Sequence, residues 1–257
     1  MIKQLLYVNN ISVSFDGFKA LDLQNFIVNE SELRVIIGPN GAGKTTFMDV
    51  LCGKTKPDTG CAIFDGRHDL TQLSEAEIVN VGVGRKFQTP SVFASLSVYE
   101  NFELAYKTNK SPWAALLNIS RRKAKKRIYE VAEMVNLQDM LDQPSGYLSH
   151  GQKQWLEIAM VILQDPMLLL IDEPAAGLSD EETYKTGELF LELANHHTLI
   201  IIEHDMEFVR QIAQTVSVFV DGKLLTEGSV ENVQKDPRVI SSYLGIEYSK
   251  QLAKEVN

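Results

Sequence analysis

Nine consecutive residues, Gly38-Pro39-Asn40-Gly41-Ala42-Gly43-Lys44-Thr45-Thr46, place glycines, a lysine and two hydroxyls around what could be one anion. Lacking a Cβ, Gly38, Gly41 and Gly43 let the backbone wind closely and turn its N–H groups inward. A helix starting near Lys44 would present its positive end to the same anion. Lys44 would then reach the β- and γ-phosphates, and the Thr45 hydroxyl would ligate Mg²⁺. This is the chemistry of a nucleoside triphosphate held by its phosphates.

Asp172 and Glu173 follow the apolar run Met167 to Ile171. If that run is a strand, both acids leave the sheet at its C-terminal edge, where open α/β sheets bind ligands. Asp172 would hold Mg²⁺ through water, and Glu173 would polarise the attacking water as general base. A helix-capping acid pair before Pro174 is the competing reading, and the glycine loop upstream weighs against it. His204 follows the apolar run Leu199 to Ile202 and emerges at the same edge, within reach of a γ-phosphate. His196 and His197 suit only a helix C-terminus, and His68 has no such company. Leu148-Ser149-His150-Gly151-Gln152 opens a predicted helix from about Gln152 to Leu163, with Ser149 as its cap. That makes a second anion-binding helix end. One chain already holds phosphates on its glycine loop, so the second end implies a second subunit.

The elements that must position these residues are legible in part. Ile11 to Phe15 alternates like a half-buried strand, and Asp16-Gly17 reads as a turn. Leu33 to Ile37 (LRVII) reads as a fully buried strand of a mostly parallel sheet, followed by the glycine loop and a helix over Thr45 to Leu51. From about 93 to about 160 helices dominate, over Ser97 to Ala105, Ser120 to Val135 and Gly151 to Leu163. This region reads as a helical subdomain inserted in an α/β core, within a single domain of 1–257. Alternation then returns, with strands at Met167 to Ile171 and Leu199 to Ile202. Helices are predicted over Asp180 to Ala194 and Met206 to Ala213. Val216 to Leu225 resembles a hairpin turning at Asp221-Gly222.

Bulk properties set the class. The 257 residues are 44% hydrophobic and 23% charged, ordinary for a globular protein with a substantial core. A net charge of −9 argues against nucleic acid as a partner. The basic run Arg121 to Arg127 is read as a solvated helix face. Cys52 and Cys61 form no CxxC pair, so reduced thiols are expected. No apolar run approaches the ~20 residues needed to span a bilayer, and Met1 to Gln4 lacks the start of a signal peptide.

With GPNGAGKTT, LSHGQ, Asp172-Glu173 and the Glu203-His204-Asp205 context in place, the chain resembles the ATP-binding cassette (ABC) ATPases from Ile11 to about Gly245. The resemblance implies a RecA-like P-loop core with an N-terminal antiparallel β subdomain and an inserted α-helical subdomain. It implies ATP and Mg²⁺ as cofactors and ATP hydrolysis as the activity. It makes His204 the switch histidine. It makes Gln88, in Arg85 to Pro90, the amide that joins the metal or attacking water and links nucleotide state to a membrane partner. Phe15 falls where the family stacks an aromatic on adenine; a core phenylalanine is its rival reading. In the family two cassettes face head to tail, so Ser149, Gly151 and Gln152 would close over the other subunit's ATP.

Gly82 to Pro90 and the tail Glu227 to Gly245 resemble the importers of hydrophobic amino acids and amides. His150 and Trp155 in LSHGQKQWLEIAM resemble the urea-importer ATPases, so urea or short amides are the expected cargo and branched-chain amino acids the alternative. The implied partners are a second ABC ATPase, as a heterodimer or a homodimer, two membrane permeases and an extracytoplasmic solute-binding protein. The chain would sit peripherally at the cytoplasmic face of the membrane. Three departures stand out. His150 replaces a glycine, Ser179 stands where the family carries an aspartate, and Ser31-Glu32 replaces Gly-Glu in a turn expected to tolerate it. Soluble ABC ATPases of DNA repair or translation usually carry two cassettes or long coiled coils, absent here. A P-loop GTPase would need an NKxD motif, also absent.

Overall fold

A computed structural model describes residues 3–86, 92–106 and 119–244. Two sheets organise them. The first is antiparallel, in the order β2-β1-β4-β5. Its strands are β1 (Gln4–Phe15), β2 (Phe18–Asn29), β4 (Thr59–Phe64) and β5 (His68–Asp69). The second has six strands in the order β10-β9-β3-β8-β7-β6. These are β3 (Leu33–Ile37), β6 (Val83–Lys86), β7 (Leu168–Asp172), β8 (Thr198–Ile202), β9 (Thr215–Val220) and β10 (Lys223–Gly228). All neighbours in it pair parallel except the β9–β10 hairpin.

β3, β7 and β8 are buried at every residue and mostly apolar because both faces of the sheet are covered. On one face Val35, Ile37, Leu169, Ile171 and Ile201 pack against helices, among them α3 (Val98–Ala105), α4 (Ile119–Met134) and α5 (His150–Ile162). α6 (Asp180–Leu193) and α7 (Met206–Ile212) complete that layer. On the other face Ile36, Leu170, Ile200 and Phe219 meet α1 (Lys44–Leu51), α2 (Glu75–Val81) and the antiparallel sheet. Phe26, Phe47 and Phe219 lock this layer, with ring centroids 5.0 to 6.0 Å apart. Arg34 ties the sheets together. Its guanidinium donates to Glu32, Ser217 and Glu227 and to the Ile27 carbonyl, at 2.6 to 3.0 Å.

The hairpin turns at Asp221-Gly222 as expected, with φ of 49° and 75°. The type with both φ positive matches the strand twist. β1 extends seven residues upstream of the predicted Ile11 start, because alternation breaks at Asn9-Asn10. Asn10 takes φ 50° and the register against β4 shifts there, while pairing with β2 continues. β7 ends on Asp172 rather than Ile171, so this acid is the last strand residue, paired with Ile202. α5 starts at His150, two residues before the expected Gln152. Arg122, Lys123, Lys125 and Lys126 on α4 are exposed, as a solvated face requires. Both cysteines are free. Among the described residues no helix is long and apolar enough to cross a membrane.

The Ser31 turn is strained rather than neutral. Ser31 holds φ 58°, while its N–H donates to Thr198 Oγ1 at 2.9 Å. A left-handed conformation costs a non-glycine residue about 1–2 kcal/mol, against about 0.5–1 kcal/mol for glycine's extra chain entropy. Ser31→Gly keeps the N–H bond and is expected to raise Tm by about 1–4 °C. A thermal melt with an unchanged or lower midpoint would show that the turn carries no strain.

Candidate functional site

β3, β8, β7 and β6 are adjacent and parallel, so the segments leaving their C-terminal ends share one edge. Among the described residues these are the Gly38–Thr46 loop after β3, Glu203-His204 after β8 and Glu173 after β7. Register couples them directly. The Glu203 N–H donates to Ile36 O at 3.2 Å, and the Glu173 N–H to Ile202 O at 3.0 Å.

The glycine loop is built as its residue types require. Gly38 has φ 151°, and a Cβ there would lie 2.1 Å from the Phe219 carbonyl oxygen; at Gly43, φ 88°, it would lie 2.4 Å from Ala20 O. Gly43 caps α1 without a side-chain acceptor, and the first turn carries no acid. The helix-start N–H groups therefore face outward as an anion site. Lys44 Nζ folds over the loop, donating to Gly38 O at 2.7 Å and Pro39 O at 3.0 Å. Asn40, Gly41 and Thr45 are exposed, Pro39 and Thr46 half-buried, and Ala42 buried.

Asp172 is 1% exposed, and among the described residues neither of its carboxylate oxygens accepts a hydrogen bond. Burial pushes its carboxyl above the usual range, while the charges of Arg85 and Lys44 pull it back. A buried carboxylate lacking donors suits a hydrated cation. Glu173 adopts φ 47°, a left-handed conformation that a non-glycine residue holds at a cost. Its Oε1 lies 3.8 Å from His204 Nδ1.

Sequence reasoning missed Glu203. It is 1% exposed, and its carboxylate accepts from the N–H groups of Ala175 at 2.9 Å, His204 at 3.0 Å and Asp205 at 3.4 Å. It thereby ties the turn after Glu173 to the turn carrying His204. Burial raises its pKa, and these backbone donors oppose the rise. Its signal was the Glu203-His204-Asp205 triplet, from which only the histidine was drawn.

Gln88 lies outside the described residues. Phe15 is 50% exposed at the end of β1, which removes its rival reading as a core residue. Ser149 caps α5: its Oγ accepts from Gln152 N at 3.2 Å, and Gln152 Oε1 accepts from Ser149 N at 2.9 Å. Gly151 is buried beneath Glu182, whose Oε1 would stand 2.3 Å from a Cβ at Gly151. His150 Nε2 lies 3.3 Å from Ala176 O, so it rests on the turn that follows Glu173. Ser179 caps α6 in a box closed by Glu182. Trp155 is buried on α5 and donates through Nε1 to Thr186 Oγ1 at 2.9 Å. His197 is not a helix-end residue facing solvent; it is buried, with Nδ1 2.7 Å from Pro166 O, and burial lowers its pKa.

Known proteins are similar to this chain in sequence and fold. The family described as ABC transporter matches residues 21–176. The high-affinity branched-chain amino acid transport ATP-binding protein LivG of Escherichia coli (strain K12) is 35% identical over 254 residues, covering 95% of this chain and 99% of that protein. BraF of Pseudomonas aeruginosa, a protein of the same description, is 34% identical over 254 residues, with 95% and 99% covered. The solved ADP conformation of an ATP-binding cassette of an ABC transporter superposes with a TM-score of 0.82 at 31% identity, covering 94% of this chain and 99% of that one. Sheet order and these matches agree: the chain belongs to the ABC transporter family, as an ATP-binding cassette.

Proposed function

We propose that this chain is the ATP-hydrolysing subunit of an importer, docked peripherally on permeases at the cytoplasmic face of the membrane. One observation carries the proposal: the Gly38–Thr46 loop, buried Asp172, Glu173 and His204 leave a single sheet edge side by side. The loop cradles the phosphates, and Lys44 exchanges the Gly38 and Pro39 carbonyls for phosphate oxygens. Asp172 and Thr45 would hold Mg²⁺, with Gln88 as a further ligand; bound there, the ion neutralises phosphate charge. Glu173 accepts a proton from the attacking water, and His204 hydrogen-bonds the γ-phosphate. Phe15 offers an exposed ring to adenine. Ser149, Gly151 and Gln152 close over the nucleotide of a second cassette, a sister chain or a second copy. A solute-binding protein would deliver cargo to the permeases.

Branched-chain amino acids are the cargo that the relatives support, in preference to urea or short amides. The urea reading rests on His150 and Trp155, and neither faces a cargo: exposed His150, at the start of α5, rests on the Ala176 carbonyl, and buried Trp155 donates to Thr186. Uptake of labelled leucine and labelled urea, with and without the gene, tests this. Leucine uptake is expected to fall to background while urea uptake persists. Loss of urea uptake alone would reverse the assignment, and loss of neither would overturn the importer proposal.

A further inference from the structure

Arg85 and Lys86 end β6, one residue before the 87–91 segment that carries Gln88. Successive strand residues face opposite sides of a sheet, and these two cations are buried on opposite sides. Lys86 Nζ lies 3.5 Å from Glu157 on α5. Arg85 turns toward α1, where Nη1 donates to Asp49 Oδ1 at 2.5 Å and to Cys52 Sγ at 3.0 Å. Its other arm, Nη2, lies 4.0 Å from Asp172 Oδ2.

A planar guanidinium can serve two acceptors at once in fixed directions. Here one arm is fixed to the helix that follows the glycine loop, and the other faces the carboxylate at the end of β7. Among the described residues Asp172 accepts no hydrogen bond, and the Arg85 guanidinium forms an ion pair with it that can restrain it. Asp49, itself mostly buried, sets where Arg85 points. We propose that Arg85 is a positioning residue that holds the Asp172 carboxylate at the metal-binding edge, with Asp49 as its anchor. The proposal rests on the reading of Asp172 as the metal-holding residue.

Two effects of Arg85 on a bound cation oppose each other. Its charge repels the cation, and its placement of Asp172 favours binding. Outer-shell partners that orient a ligand typically contribute about 10- to 100-fold in metal affinity, so the positioning effect is expected to win. The experiment is an electron paramagnetic resonance titration of the full chain with Mn²⁺, in the presence of a non-hydrolysable ATP analogue. Analogue affinity is measured separately in EDTA. Arg85→Met and Asp49→Ala are each expected to raise the Mn²⁺ Kd about tenfold and to leave analogue affinity in EDTA unchanged. Arg85→Lys keeps the charge and loses the fork, so it is expected to weaken Mn²⁺ as well; full retention would assign the effect to charge and overturn the proposal. Unchanged or tighter Mn²⁺ binding in Arg85→Met and Asp49→Ala would overturn it too. Asp172→Asn separates the two layers. If it weakens Mn²⁺ and the Arg85 and Asp49 variants do not, only the positioning inference falls. If it also leaves Mn²⁺ unchanged, the reading of Asp172 fails, and this inference with it.

Discussion

Glu173→Gln is expected to cut ATP turnover by about 100- to 10,000-fold, the usual worth of a positioned general base. ATP binding is expected to stay within about twofold of the parent chain, because a group that acts only in the transition state contributes nothing to ground-state affinity. The backbone argues that the variant will fold. Glu173 is placed by its N–H bond to Ile202 O, and its left-handed φ of 47° is imposed by the chain on either side. Glutamine matches glutamate in shape and keeps that placement, while losing the acceptor strength that draws a proton from water. His204, 3.8 Å from Oε1, cannot take over without leaving its own place beside Glu203. Phosphate release and a fluorescent-nucleotide titration on the same preparation check both halves. Undiminished phosphate release would remove Glu173 from the reaction.

How much of this was legible in the sequence depended on whether a residue's environment is local. Leu33–Ile37, the glycine loop and α1 were readable because apolar continuity, glycine placement and a helix start are all coded within a few residues. The Asp221-Gly222 hairpin was readable for the same reason. β2 and β4 were not located individually; the family resemblance implied only an antiparallel β subdomain. The burial of β2 does not alternate regularly, and its pairing with β1 carries register shifts. The roles of Glu203, present in the sequence only as the neighbour of His204, and of Arg85 were missed for a different reason. Their roles are set by partners far along the chain: Ala175 for Glu203, Asp49 and Asp172 for Arg85. Neither distance has a sequence signature. Parallel pairing alone brings β6, β7 and β8 edge to edge. His150 shows the converse. As a departure from a motif it was conspicuous, yet its contact with Ala176 says more about how α5 meets the turn after Glu173 than about any cargo.

Lys44→Ala removes binding itself. In the described geometry the ammonium group is satisfied by two carbonyls of the loop it serves, at 2.7 and 3.0 Å. Those carbonyls are only part-buried, so water can replace the lysine and the fold should persist, with Tm shifted by no more than about 2–4 °C. Nucleotide binding has no such substitute. Each hydrogen bond to a charged group contributes about 1.5–3 kcal/mol, and two phosphate contacts correspond to about a 100-fold loss of affinity or more. The remaining N–H groups at the start of α1 still attract an anion, but a helix end contributes only about 0.3–1 kcal/mol at an exposed site. An equilibrium titration with a fluorescent ATP analogue should therefore show no saturable binding at concentrations that saturate the parent chain. Glu173→Gln and Lys44→Ala then fail in opposite ways. The first binds and does not turn over; the second is folded and does not bind. Retained nucleotide affinity in a folded Lys44→Ala protein would mean that the Gly38–Thr46 loop is not where the phosphates sit.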